Sequence, residues 1–178
     1  YQKVILVREI LNFIGHLFKI MTNFVDVKDN FLDPHHFLEI QRIMMSDKFP
    51  WYTNPNGGVA YNNGGDGMYF VHHFHYQQPL SDFFRLIEPL LNKLPYDQSR
   101  LSRVKGNMYP SMKRRVLHDW HTDSPISHNG GVFCINTNNG FTCFKNGKVK
   151  SVENRLILFD PSVPHRSSTC TDQTCRVN

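Results

Sequence analysis

The second half of the chain consists of short apolar runs separated by turn residues, and this pattern restricts the fold more than any other feature. Runs of this length bounded by Gly, Pro, Asn and Asp are typical of β-strands. Asn139-Gly140 and Asn146-Gly147 bracket the run FTCFK and predict two tight hairpins. Many short strands in succession predict a sandwich or barrel of the jelly-roll type. The runs are residues 101–109, 131–137, 141–144, 148–151, 155–160 and 173–178.

The first half of the chain predicts helices that pack on this strand region. Asp33 is a good N-cap and Pro34 a good first helical residue, so a helix is expected over about residues 34–46. Residues 68–76, MYFVHHFHY, are predicted to form an aromatic strand, and a second helix is predicted over about 79–93. Helices followed by many strands predict an α+β fold, with a jelly-roll core and N-terminal helices packed on it.

The length of the chain, 178 residues, suits one domain. We expect that domain to cover residues 21–178, with helical and strand support in 21–100 and the jelly-roll core in 101–178. Met21 opens a segment that reads like a natural start of a protein. Residues 1–20 are therefore predicted to be an N-terminal extension of the domain.

Composition and charge limit the classes of protein that remain. The N-terminal residues are apolar, but Lys3, Arg8 and Lys19 interrupt them, so no run reaches the roughly 18 residues of a membrane span. The net charge of +5 is spread along the chain, and its densest cluster, Lys113–Arg115, leaves nucleic-acid contact open. The four cysteines show no paired framework, which predicts reduced thiols and a cytoplasmic location.

The stretch HDWHTDSPISH, residues 118–128, contains the strongest candidate for a metal site. In an extended segment the side chains at i and i+2 point the same way, so His121 and Asp123 can bind one ion. Downstream, RLILFDPSVPH is an apolar strand and a Pro-bounded turn that end at His165. A jelly roll brings distant strands together, so His165 can complete the set. Two imidazoles and one carboxylate form the facial triad of non-heme Fe(II) oxygenases.

Three other polar residues in the same stretch are weaker candidates for metal ligands. His118 lies three residues before His121, and a metal pair at that spacing needs a helix, which the flanking sequence does not predict. We therefore expect His118 behind the ligands or at the surface. Asp119 and His128 are expected in exposed loops.

Three residues outside the triad are candidates for binding a co-substrate that carries a carboxylate. Arg176 lies in QTCRVN, the predicted last strand, and a buried arginine there would offer a planar fork to a carboxylate. In LSRVKGNMYP, alternation places Asn107 and Tyr109 on one face. The hydroxyl of Tyr109 could donate to the same carboxylate.

These motifs carry a resemblance to a known family. The pattern YP…HTD…NRLILFDPSVPH…R resembles the 2-oxoglutarate/Fe(II)-dependent oxygenases, specifically their prolyl-4-hydroxylase-like branch, over residues 101–178. The earlier FLDPHHFLEI…FPWY is similar to the N-terminal part of small family members in phages and marine microbes. Family members usually continue the last strand beyond the position of Asn178.

The resemblance implies a double-stranded β-helix that binds Fe(II) and 2-oxoglutarate. Carried onto this chain, it implies that His121, Asp123 and His165 are the iron ligands. It also implies that Arg176 binds the distal carboxylate of 2-oxoglutarate and that Tyr109 touches the same carboxylate. Dioxygen is the second co-substrate, succinate and CO2 are the co-products, and ascorbate is a candidate reductant.

The predicted function is hydroxylation of a protein or peptide, with proline as the candidate residue. An oxidative nucleic-acid demethylase of the same superfamily is the first alternative, and the basic charge allows it. A metal-binding module of the cupin type without turnover is the second. Residues 53–67, which are rich in Gly and Asn, are predicted to form a loop and are a candidate lid. The sequence predicts neither the identity of the substrate nor the oligomeric state.

Overall fold

The computed structural model describes residues 25–53 and 68–178. The predicted extension at residues 1–20 and nearly all of the predicted lid lie outside the described residues. Among the described residues, no helix has the length and apolar character needed to cross a bilayer. In chain order, the elements are β1 (Asp26–Lys28), α1 (Pro34–Met44), β2 (Tyr52–Thr53), β3 (Phe70–Tyr76), β4 (Gln78–Pro79), α2 (Phe84–Lys93), a short 3-10 helix (Gln98–Arg100), β5 (Arg103–Pro110), β6 (Gly130–Cys134), β7 (Phe141–Phe144), β8 (Gly147–Lys150), β9 (Arg155–Phe159), β10 (His165–Ser167) and β11 (Cys175–Val177).

Within the described part of the chain, the strands form three antiparallel sheets. The largest has the order β11-β5-β3-β2, with β4 paired to β3. The second has the order β1-β9-β6, and the third has the order β10-β7-β8. Antiparallel sheets together with two α-helices confirm the prediction of an α+β fold.

Helix α1 begins and ends close to where the sequence places it. The side chain of Asp33 accepts a hydrogen bond from the amide of His36 (3.2 Å), and Pro34 is in the first turn. The apolar face buries Phe37, Ile40 and Met44, and the ring of Phe37 packs edge-on against Phe133 of β6. Burying one such side chain contributes about 2 kcal/mol, so this face attaches the helix firmly to the sheets.

The predicted start of the second helix is wrong. Pro79, expected near its start, forms strand β4 on β3 together with Gln78 instead. The cause is Gln77, whose positive φ of 60° turns the chain back on itself. The helix starts only at Phe84. Just before it, the hydroxyl of Ser81 accepts a hydrogen bond from the amide of Phe83 (3.1 Å).

Only one of the two Asn-Gly pairs forms a hairpin. Strands β7 and β8 pair directly and are joined through Lys145 and Asn146, as predicted at Asn146-Gly147. Near Asn139-Gly140 the chain instead crosses between sheets, because β6 pairs with β9 while β7 pairs with β8 and β10. The side-chain oxygen of Asn138 accepts a hydrogen bond from the amide of Gly140 (2.9 Å), and this bond takes the place of a hairpin hydrogen bond.

Asn154 connects the segment before α1 to the strand region. Its side chain accepts from the amide of Leu32 (2.8 Å) and donates to the carbonyl of Leu32 (2.9 Å). Asn154 is buried and has a φ of 56°, a conformation that asparagine tolerates better than most residues.

We expect Asn154→Ala to lower the free energy of unfolding by about 3 kcal/mol, because it strands two buried backbone groups and strains the backbone. Urea denaturation measures the change, and Asn146→Ala in the exposed β7–β8 turn is the control. Equal stability of the two variants would contradict the structural role assigned to Asn154.

Candidate metal centre

Two segments that are far apart in the chain meet at the candidate site. The amide of His121 donates to the carbonyl of His165 (3.0 Å), and the amide of His165 donates to the carbonyl of His121 (2.9 Å). This bridge places the centroids of their rings 4.6 Å apart. The amide of Asp123 donates to the carbonyl of Pro161 (2.9 Å).

The metal-binding atoms of His121, Asp123 and His165 all lie within 4.8 Å of one another. Among residues 25–53 and 68–178, no other group of three or more His, Cys, Asp or Glu side chains meets this geometry.

Backbone carbonyls orient both imidazole rings. Nδ1 of His165 lies 2.9 Å from the carbonyl oxygen of Val163, and Nδ1 of His121 lies 3.2 Å from that of Asp119. Because a carbonyl can only accept, Nδ1 is the protonated nitrogen in each ring and Nε2 keeps a free lone pair. Burial lowers the pKa of His165, which favours the neutral form that binds metals. Both rings could therefore hold a metal through Nε2.

The carboxylate of Asp123 lies between His165 and two basic residues. Its Oδ2 is 3.7 Å from Nε2 of His165, and its Oδ1 is 3.3 Å from the guanidinium of Arg103. Burial and the charge of Arg103 lower the pKa of Lys105, and the charge of Asp123 opposes this shift. Arg103 and Lys105 were not predicted as residues of the site. Both alternate with Tyr109 along β5, and this pattern would have placed them on the same face of the strand. Arg103 holds one carboxylate oxygen and leaves the other facing the imidazoles.

Arg176 is completely buried. Its side chain donates to four oxygen atoms, and none of the ion pairs among the described residues involves it. A buried cation without an anionic partner is costly, so this position suits an anionic ligand. The four acceptors are the hydroxyl of Ser151 (2.8 Å), the carbonyl of Phe141 (3.2 Å), the carbonyl of Ser168 (2.8 Å) and the hydroxyl of Thr142 (3.0 Å).

Tyr109 lies directly beside Arg176, because the two residues are paired across β5 and β11. The guanidinium carbon is 5.4 Å from the centroid of the tyrosine ring, and Tyr69 stacks on that ring at 5.3 Å. Burial raises the pKa of Tyr109, while the charge of Arg176 and a hydrogen bond with the Ser167 hydroxyl act against this shift. The structure thus brings together two of the three predicted co-substrate residues.

Asn107, the third predicted co-substrate residue, lies on the same face of β5 as Tyr109. Its backbone pairs with Asn178 through hydrogen bonds of 2.7 and 3.0 Å. Its side-chain oxygen is buried and has no hydrogen-bond partner among the described residues. Asn107 therefore offers an unused polar group, but the structure shows no contact between it and the triad.

His118 has a position that the sequence did not reveal. It is only 4% exposed, and its Nδ1 lies 2.8 Å from the hydroxyl of Ser167. Its ring packs against Tyr109 at a centroid distance of 5.1 Å. Burial, followed by the charges of Arg176 and His121, lowers its pKa to about 4. The segment between His118 and His121 is irregular, so no periodic pattern could have placed both rings inside.

The remaining residues of HDWHTDSPISH lie around the site. His128 is exposed, as predicted, and its Nδ1 bonds the carbonyl of Ile126 (2.8 Å). Asp119 is only partly exposed and orients His121 through its carbonyl. Trp120 is covered by two cations, with Nζ of Lys145 at 4.2 Å and Cζ of Arg166 at 4.4 Å from its ring centroid.

Comparisons with known proteins give a fold but not a family. No protein-family model and no curated protein matches the chain. The crystal structure of a prolyl-4-hydroxylase from Pseudomonas putida is similar, with a TM-score of 0.51 and 12% sequence identity. The match covers 89% of this chain and 91% of the Pseudomonas chain. At this identity the likeness shows that the two chains share a fold.

Proposed function

We propose that this protein is a 2-oxoglutarate- and Fe(II)-dependent dioxygenase that hydroxylates a protein or peptide, with proline as the candidate residue. One observation carries the proposal. Two imidazoles and one carboxylate converge on one point, and the same chain buries an arginine that has no anionic partner among the described residues. The similarity to the fold of a prolyl-4-hydroxylase supports it.

In this proposal, the sheets β11-β5-β3-β2 and β10-β7-β8 together form a double-stranded β-helix. The site receives His165 from the smaller sheet and Tyr109 from the larger one. Arg176 of β11 donates to Thr142 of β7, which ties the two sheets together behind the site. This enclosure is what a jelly roll would provide.

The donor set fits Fe(II). His121, Asp123 and His165 would hold it through two imidazole nitrogens and one carboxylate oxygen, the set that non-heme Fe(II) oxygenases use. The bound iron would supply the oxidation of 2-oxoglutarate by dioxygen and the oxidising power for hydroxylation. Ascorbate would serve to keep the iron reduced.

Arg176 and Tyr109 fit the co-substrate 2-oxoglutarate. Arg176 supplies the fixed positive charge that a carboxylate needs, and the ring of Tyr109 forms the wall beside it. Asn107 could contribute its side-chain amide. Because Arg176 is already held by four hydrogen bonds, it would bind the carboxylate without losing further side-chain entropy.

A groove on the large sheet supports a polypeptide as the substrate. It has a volume of about 880 Å³ and follows β2 and β3, with Tyr52, His72 and His73 among its lining residues. Val71 lines this groove and also packs in a cluster with Tyr69 and Tyr109. The groove therefore follows the edge of the sheet to which Tyr109 belongs, where an extended segment could lie.

A second candidate function, oxidation of nucleic acid, is favoured by one specific observation. Arg115 and Lys148 pack on the ring of Phe141, while Lys145 and Arg166 pack on Trp120. None of these four cations forms an ion pair within the described part of the chain. A surface of unpaired cations suits a polyanion.

All four cysteines are free thiols, which supports a cytoplasmic location as a further part of the proposal.

We expect the chain to form succinate from 2-oxoglutarate when Fe(II), ascorbate and dioxygen are supplied. His121→Ala and Asp123→Ala should each lower this rate at least about a hundredfold, because each removes a metal ligand. His128→Ala, which alters an exposed histidine of the same stretch, is the control and should change little. Full succinate formation by either ligand variant would refute the proposal.

Gly140 provides a direct test of the co-substrate pocket. A Cβ at this position would lie 2.8 Å from Cδ of Arg176, whereas a Cβ at Gly147 would meet nothing within 4 Å. Gly140→Ala should therefore displace the guanidinium and raise the KM for 2-oxoglutarate about tenfold, the effect of weakening one charge-assisted hydrogen bond. Gly147→Ala should leave it unchanged. An unaltered KM in Gly140→Ala would show that Arg176 does not bind the co-substrate.

A further inference from the structure

His118 contains a buried nitrogen atom that none of the described residues uses. Its Nε2 has no hydrogen-bond partner among them, although the side chain is only 4% exposed. Leaving such a group unpaired costs free energy, so native proteins rarely do so without a ligand or water nearby. The ring packs on Tyr109, and the charges of Arg176 and His121 both act on it. His118 thus lies near both the candidate co-substrate arginine and the triad.

Ser167 contacts the other nitrogen of the His118 ring. The hydroxyl oxygen of Ser167 lies 2.8 Å from Nδ1 of His118. Burial lowers the pKa of His118 to about 4, so the ring carries a single N–H at neutral pH. A serine hydroxyl can donate or accept, so the hydrogen between Ser167 and Nδ1 can belong to either residue.

The two arrangements differ at Nε2. If Ser167 donates to Nδ1, His118 carries its hydrogen on Nε2, and the unused nitrogen becomes a donor. If Nδ1 donates to Ser167, Nε2 is a bare lone pair that would repel an anion.

We propose that His118 is a co-substrate-positioning residue that donates from Nε2 to an anionic oxygen of 2-oxoglutarate, while Ser167 donates to Nδ1 and holds His118 in this tautomer. This inference rests on the proposed function. It assigns to Ser167 an orienting role and to His118 a direct contact with the ligand.

The tautomer can be observed directly. The full chain, loaded with Zn(II) so that no turnover occurs, is labelled with nitrogen-15 in its histidines and titrated with 2-oxoglutarate. The nitrogen shifts of His118 in the complex should show hydrogen on Nε2 and a bare, hydrogen-bonded Nδ1. Hydrogen on Nδ1 in the complex would overturn the proposal, because Nε2 could then not donate to the ligand.

A matched pair of variants tests the same contact by affinity. His118→Gln keeps a side-chain amide near the position of Nε2, whereas His118→Asn keeps one only near the position of Nδ1. Calorimetry with the Zn(II)-loaded proteins should show a Kd for 2-oxoglutarate raised about tenfold in His118→Asn and changed much less in His118→Gln. His128→Asn is the control. Equal Kd values for wild type and His118→Asn would overturn the proposal, and a poorly folded variant still leaves the measurement on the wild type decisive.

The same titration separates the two levels of the proposal. If the wild type binds Zn(II) and 2-oxoglutarate but His118→Asn binds equally well, only the role of His118 fails. If the Zn(II)-loaded wild type does not bind 2-oxoglutarate, the proposed function fails and the role of His118 fails with it.

Discussion

The buried guanidinium of Arg176 holds together the parts of the molecule that enclose the candidate metal centre. It extends from β11 of the large sheet and donates to oxygens of β7, of the residue after β8 and of the residue after β10. Such a cation is tolerated in the interior because its side chain donates to four acceptors on neighbouring segments. Its charge, however, has no anionic partner in the part of the chain that the structure describes. This imbalance is the physical reason for expecting an anionic ligand.

Backbone groups orient the two imidazoles of the triad. The mutual hydrogen bonds of His121 and His165 fix the two strands, and carbonyl oxygens fix the tautomer of each ring. The two Nε2 lone pairs and one oxygen of Asp123 are therefore arranged before any metal binds. The positive charge of Arg103 partly offsets the negative charge of Asp123. It therefore lowers the free-energy cost of holding the three ligands close together in the metal-free protein.

The sequence predicted those parts of the site that depend on local periodicity. His121 and Asp123 are separated by one residue, and Asn107 and Tyr109 likewise, so alternation along an extended chain was enough to place each pair on one face. His118 could not be placed in this way, because the segment before His121 is irregular. The sequence also did not predict the short strand β10, which depends on long-range pairing with β7. It did not predict the late start of α2, which depends on the positive φ of Gln77. The pairing of Tyr109 with Arg176 needed the structure, because no sequence pattern fixes the register of β5 against β11.

The central claim is that one chain binds Fe(II) and 2-oxoglutarate together at His121, Asp123 and His165. An anaerobic titration tests it most directly, because a 2-oxo acid that chelates Fe(II) through its carboxylate and keto oxygens gives a coloured complex. A visible absorption band should appear only when protein, Fe(II) and 2-oxoglutarate are all present, reach its maximum at one iron per chain, and be lost in Asp123→Ala. A folded wild-type protein that shows no such band at saturating Fe(II) and 2-oxoglutarate would contradict the claim.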